Sequence, residues 1–149
     1  MKDIINLNIE LLKNANKKPY YASEKAAGLD ISAATEKDIF LKHLEYKIIS
    51  TGLKIEIPDG FEGQLRPRSG LAFNHGVTIL NTPGTIDSDY RGEIKILLIN
   101  LGKKTFKISP GMRIAQLVIS SAEKVKINVV RKLNNLTERN DKGFGSTGL

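Results

Sequence analysis

Apolar and polar positions alternate with a period of two along much of the chain. Leu53, Ile55 and Ile57 are interleaved with Lys54 and Glu56, and Ile94, Ile96 and Leu98 share one face of a second segment. Successive side chains of a strand point to opposite faces, so this alternation predicts short, half-buried strands. Helical periodicity is weak almost everywhere. Turn signals fall between the strand-like runs at "PDG" 58–60, "NTPG" 81–84, "NLGKK" 100–104 and "SPGM" 109–112, the spacing of an all-β sandwich or barrel. One short helix is predicted over "SGLAFNHG" 69–76, with Ser69 as its N-cap and Gly76 as its C-terminal stop.

The pattern stops at Asn134. From there "NNLTERNDKGFGSTGL" carries three glycines, one aromatic and no periodic apolar positions, which predicts a globular domain over residues 1–133 and a mobile tail over 134–149. A phenylalanine between two glycines, followed by Ser-Thr-Gly, is an unusual composition for a merely frayed end.

Composition narrows the chemistry. The 149 residues suit one domain with a real core. The absence of cysteine removes disulfides, zinc-thiolate sites and thiol nucleophiles, and two histidines leave little for a His-based metal cage. His43 reads as a surface residue and His75 as a helix-end residue. The N-terminus "MKDIINLNIELLKN" lacks the continuous apolar region of a secretory signal, and the longest aliphatic run is "ILLI" at 96–99, far short of the ~18 residues of a membrane span. A cytoplasmic protein without a membrane partner is expected. The net charge of +7 points to an anionic partner, yet the lysines are dispersed, with no basic run that would favour nucleic acid.

Four stretches carry candidate chemistry. In "RPRSGLA" 66–72, Arg66 and Arg68 would share a face of an extended segment, Pro67 marks an edge or strand end, and a helix start follows. This reads either as an anion site or as a capped surface helix with stray arginines. In "AGLDISAA" 27–34, Asp30 lies between Leu29 and Ile31, and in "RIAQLV" 113–118 Gln116 interrupts an apolar strand; both also suit a surface or edge strand, where a glutamine costs nothing. In "NTPGTIDSDYRGE" 81–93, Asp87 and Asp89 would share one side of an extended segment, with Ser88 and Tyr90 on the other. There the tyrosine offers a flat ring for a sugar or base, Asn81 an amide for hydrogen-bond readout, and a carboxylate, charged at neutral pH, a base for water.

These four, with "RNDKGFGSTG" 139–148, resemble the five ordered motifs of the trimeric deoxyuridine triphosphatase (dUTP diphosphatase) family, in order and spacing and across nearly the whole chain. The resemblance implies a small jelly-roll-like β-sandwich or barrel, assembled as a homotrimer whose active sites are each built from three chains. It implies hydrolysis of dUTP to dUMP and pyrophosphate, with Asp87 as the base for the water attacking the α-phosphorus. Tyr90 would lie under the deoxyribose, and Asn81 with the backbone of Gly84, Thr85, Ile86 and Asp87 would read the uracil. Lys95 matches a ligand-contacting position. Arg68, Ser69, Gly70 and Gln116 would hold phosphate oxygens, and Asp30 would support a Mg²⁺ ion through water, the ion being held mainly by the triphosphate. Arg139 and the tail residues Phe144, Gly145, Ser146 and Thr147 would close over the nucleotide. Asn140 and Lys142 stand where the family more commonly has glycine.

The related dCTP deaminases place a catalytic glutamate at the position aligned with Leu97, which cannot move a proton. Zinc deaminases need cysteine ligands that this chain lacks. A non-catalytic nucleotide-binding module would not require Asp87 together with a complete tail.

Overall fold

The computed structural model describes residues 4–134, 136–137 and 140–141. In order, β1 (Asn8–Leu11), β2 (Tyr20–Tyr21), β3 (Leu29–Ser32), β4 (Ile39–Leu41), β5 (Tyr46–Glu56) and β6 (Phe61–Arg66) precede α1 (Ser69–His75), and β7 (Val77–Ile79), β8 (Gly84–Ile86), β9 (Ile94–Asn100), β10 (Phe106–Ile108) and β11 (Arg113–Ser121) follow it. They form a four-stranded sheet β1-β5-β9-β7, a five-stranded sheet β2-β3-β11-β6-β8 and the small pair β10-β4. Every pairing is antiparallel.

The inward positions of the sheets meet in one apolar cluster, as in a β-sandwich. Leu53, Ile55 and Ile57, and Ile94, Ile96 and Leu98, are all buried in it, as their alternation predicts. The four turns fall where the sequence places them: Phe61 N–H returns to Pro58 O, Thr82 N–H to Ile79 O and Met112 N–H to Ser109 O. In the turn after β9 the buried Asn100 donates to Leu41 O and Lys104 O and accepts from Gly102 N–H. The Thr82–Pro83 peptide is cis.

Several sequence expectations are corrected by the sheet order. Strands β6 and β11 are interior, each flanked on both sides. Pro67 therefore marks a strand end rather than an edge, and Gln116 sits mid-sheet, where its polar group needs a partner. Ser69 is not the N-cap of α1: Arg68 is, with φ −90° and ψ 128°, and no side chain caps the helix. Gly76 does end the helix, at φ 68°, a left-handed conformation that glycine adopts without a Cβ penalty. The last strand ends at Ser121, and residues 123–134 are exposed and form no strand.

A bulge in β5 bears on the site. Opposite β9, Ser50 pairs with Lys95 but Leu53 with Ile94, which leaves Thr51 and Gly52 as extra residues. The freed groups are satisfied from the start of β9: Thr51 Oγ1 donates to Ile94 O, and Gly52 N–H to Glu93 Oε1 at 2.9 Å. The loop before β9 is thereby anchored to the sheet.

Candidate active site

The first group of predicted residues gathers on one row of the five-stranded sheet. Residues opposite each other across antiparallel strands point to the same face, and the register places Tyr20 beside Asp30, Asp30 beside Gln116, and Gln116 beside Arg66. Asp30 is buried at 8% exposure. Its Oδ2 accepts from Arg113 Nη1 at 2.8 Å and its Oδ1 from Arg68 Nε at 3.1 Å. That hydrogen bond, and the Asp30 charge, raise the Arg113 guanidinium above its ordinary value. Gln116 Nε2 donates to Pro67 O at 3.0 Å, which fixes the chain just before Arg68.

Beside this cluster the helix begins. The Leu71 and Ala72 amides both return to Arg68 O at 3.1 Å, so the Ser69 and Gly70 amides precede the first intrahelical bonds. Both residues are exposed. Arg68, Ser69 and Gly70 thus offer a guanidinium, a hydroxyl and two amide donors in consecutive positions, a set suited to an anion.

The second group forms a pocket of about 230 Å³. Leu65, Ile86 and Ile94, all buried, give it apolar walls, and Asn81, Thr85, Asp87, Tyr90, Glu93 and Lys95 give it polar ones. Gly84 also lines it, buried on β8 with the Asn81 amide packed over it: a Cβ there would lie 3.3 Å from Asn81 Nδ2. Residues 87–90 are not extended as predicted but make a turn closed by Tyr90 N–H to Asp87 O at 3.1 Å. The turn reverses the predicted alternation, so that Asp87 and Tyr90 line the pocket together and Asp89 does not. Arg91 Nη1 ties the turn by donating to Ser88 O and Tyr90 O, and Tyr90 Oη donates to Glu93 O at 3.1 Å. A larger hollow of about 410 Å³ runs along β1 and β5; its charges pair with one another, Lys54 with Glu10 and Arg91 with Glu56, and it holds none of the predicted site residues.

The dUTPase family model matches residues 14–148. The chain belongs to the dUTPase family. It is 53% identical over 149 residues to the deoxyuridine 5'-triphosphate nucleotidohydrolase of Rickettsia typhi, covering 98% of this chain and 99% of that one. It is 54% identical over 141 residues to the enzyme of the same name from Clostridium kluyveri, covering 93% and 96%. The fold matches the dUTPase of Staphylococcus bacteriophage 80alpha with dUPNHPP at a TM-score of 0.88, with 30% identity over 97% of this chain and 99% of that one. A mutant dUTPase of phage phi11 of S. aureus, whose structure reveals the coordination of a structural Mg(II) ion, matches at a TM-score of 0.77, with 27% identity over 85% and 97%.

For a dUTPase, the sequence-predicted residues fall into two groups. Asn81, Gly84, Thr85, Ile86, Asp87, Tyr90 and Lys95 share the pocket. Arg68, Ser69, Gly70, Gln116 and Asp30 form the cationic cluster, and none of them lines that pocket. The separation has a simple cause: Leu65 lines the pocket while Arg66 stands in the row of Gln116, and consecutive residues of a strand face opposite ways. Arg139, Phe144, Gly145, Ser146 and Thr147 lie outside the described residues. Asn140, where the family more commonly has glycine, has φ 47°, a left-handed conformation that asparagine tolerates better than most residues.

Each Asp30 oxygen accepts from one arginine, so the carboxylate orients Arg68 and Arg113. Among the described residues no three His, Cys, Asp or Glu side chains gather to hold an ion. Mg²⁺ in general keeps several water ligands and binds through one or two carboxylates plus substrate phosphates rather than in a protein cage. Sequence reasoning left out Arg113, Glu93, Gly28 and Gly92. All four lie within the motif stretches; Arg113, Glu93 and Gly28 meet residues far away in sequence, Asp30, Gly52 and Gln116, and Gly92 meets the ring of Tyr90.

Proposed function

We propose that this dUTPase hydrolyses dUTP to dUMP and pyrophosphate by attack of water on the α-phosphorus, with Asp87 as the base that orients and deprotonates the water. The observation that carries the reading is the convergence of the Asp87 carboxylate, the Asn81 amide, the Tyr90 ring and Lys95 on one pocket with an apolar floor. Asn81 and the backbone of Gly84–Asp87 read the uracil edge, and the flat ring of Tyr90 lies under the deoxyribose, leaving no room for a 2'-hydroxyl. Arg68, Ser69, Gly70 and Gln116 take the phosphates. Displacement at phosphorus needs positioning and charge neutralisation more than covalent help, and the chain has no cysteine nucleophile.

Mg²⁺, held mainly by the triphosphate, would neutralise phosphate charge. Arg139 and the segment Phe144–Thr147 would close over the nucleotide. Because the pocket and the cationic cluster lie on opposite sides of β6, a complete site would join the pocket of one protomer to the cluster of another, in a homotrimer. A cytoplasmic location completes the reading; among the described residues no helix is long and apolar enough to cross a membrane.

The test is pyrophosphate release with Mg²⁺ on dUTP, dCTP, dTTP and UTP in parallel, with ammonia assayed in the same tubes. Release from dUTP alone is expected. Ammonia from dCTP would replace hydrolysis by deamination, and thermal protection by dUTP without turnover would leave a binding module. For the shared site, mixing and reannealing an Asp87→Asn chain with an Arg68→Ala chain is expected to restore part of the activity that each lacks alone.

A further inference from the structure

Tyr90 is about half exposed, at 46%, yet its ring has a defined resting place. The aromatic ring folds back along the loop toward β9, and its hydroxyl donates to Glu93 O at 3.1 Å. Beneath it is Gly92. A Cβ built on Gly92 would overlap the Tyr90 hydroxyl and come within 2.6 Å of Cζ and 3.0 Å of Cε2, closer than real carbon contacts allow.

The backbone does not call for glycine here. Among the described residues the glycines with positive φ are Gly52, Gly60, Gly76 and Gly111, and Gly92 is not one of them. No positive φ stands against a side chain at Gly92, and the three atoms nearest to a Cβ there all belong to the tyrosine ring and its hydroxyl. The backbone is also poorly placed to yield. Glu93, the next residue, is anchored through Gly52 N–H, and Arg91, the previous one, donates to the Ser88 and Tyr90 carbonyls. The half-exposed ring is the part free to move.

We propose that Gly92 is a positioning residue for sugar discrimination: its missing side chain is the seat of the Tyr90 ring, and a methyl at this position turns the ring off its seat and frees its hydroxyl from Glu93 O. The inference rests on the reading that Tyr90 faces the deoxyribose. A ring that is no longer held cannot exclude a 2'-hydroxyl by contact, so selectivity falls, by about tenfold for one such steric contact.

The test uses four full-length proteins: wild type, Gly92→Ala, Tyr90→Ala and the double variant. Each is assayed for kcat and KM on dUTP and UTP with Mg²⁺, and for its urea unfolding midpoint. In Gly92→Ala the ratio of kcat/KM for dUTP over UTP is expected to drop about tenfold. In the Tyr90→Ala background the same change is expected to cost nothing further, since no ring remains to be displaced. Wild-type selectivity in Gly92→Ala, with Tyr90→Ala impaired, would overturn the role of Gly92 alone. Equal losses from Gly92→Ala in both backgrounds would also overturn it, by tracing the effect to the backbone. Unchanged selectivity in Tyr90→Ala would overturn the sugar reading and this inference with it. If Gly92→Ala fails to fold, folding of the double variant would still identify the ring as the obstacle, and failure of both would refute it.

Discussion

Arg68 Nε donates to Asp30 Oδ1 at 3.1 Å across 38 residues of sequence, and the other oxygen of the same carboxylate holds Arg113. One buried aspartate thus fixes two guanidinium groups beside the start of α1. Asp30→Ala is expected to leave both arginines without their acceptor. The partial exposure of both arginines tempers the loss, and unfolding in urea is expected to show about 1–3 kcal/mol of destabilisation. KM for dUTP is expected to rise more than kcat falls, because Arg68 would no longer be aimed.

Asp87 is exposed at the pocket and makes no ion pair among the described residues. Asp87→Asn should therefore leave the unfolding midpoint unchanged and retain dUTP binding, while kcat falls by ~10²–10⁴, the range for loss of a general base. Single-turnover rates with binding measured separately check this. Normal turnover would remove Asp87 from its assigned role.

Gly28 stands against Gln116. A Cβ there would meet Gln116 Oε1 at 2.5 Å and its Cβ and Cδ at 3.2 Å. Gly28→Ala is expected to push the amide off Pro67 O and to raise KM for dUTP with a smaller effect on kcat. Steady-state kinetics compared with Gln116→Ala provides the check, since the glycine change should add little once the glutamine side chain is gone.

Asn100 satisfies two carbonyls and one amide in the core at the end of β9. Asn100→Ala should orphan them and cost about 2–4 kcal/mol in urea unfolding. An effect under half a kcal/mol would mean that water replaces those bonds.

Much of this protein was legible from local pattern. The strands that contain Leu53, Ile55, Ile94 and Ile96 followed from period-two alternation, because burying one face of a strand leaves that mark wherever the other face is wet. The end of α1 followed from Gly76, because the left-handed conformation selects its residue locally. The motif stretches were likewise visible as unusual chemistry at turns and strand ends.

What the sequence by itself determined was the all-β class, the short helix after Arg68 and the side chains available for the chemistry, since these depend on neighbours within a few positions. Tertiary structure alone decided that Gln116 lies mid-sheet, that Asp30 is bound by arginines 38 and 83 residues away, and that the 87–90 turn brings Asp87 and Tyr90 into one pocket. It also decided that Arg68 and that pocket lie apart within one chain. Strand order and long-range ion pairs join segments that carry no record of each other in local spacing, so they are settled only when the sheets assemble.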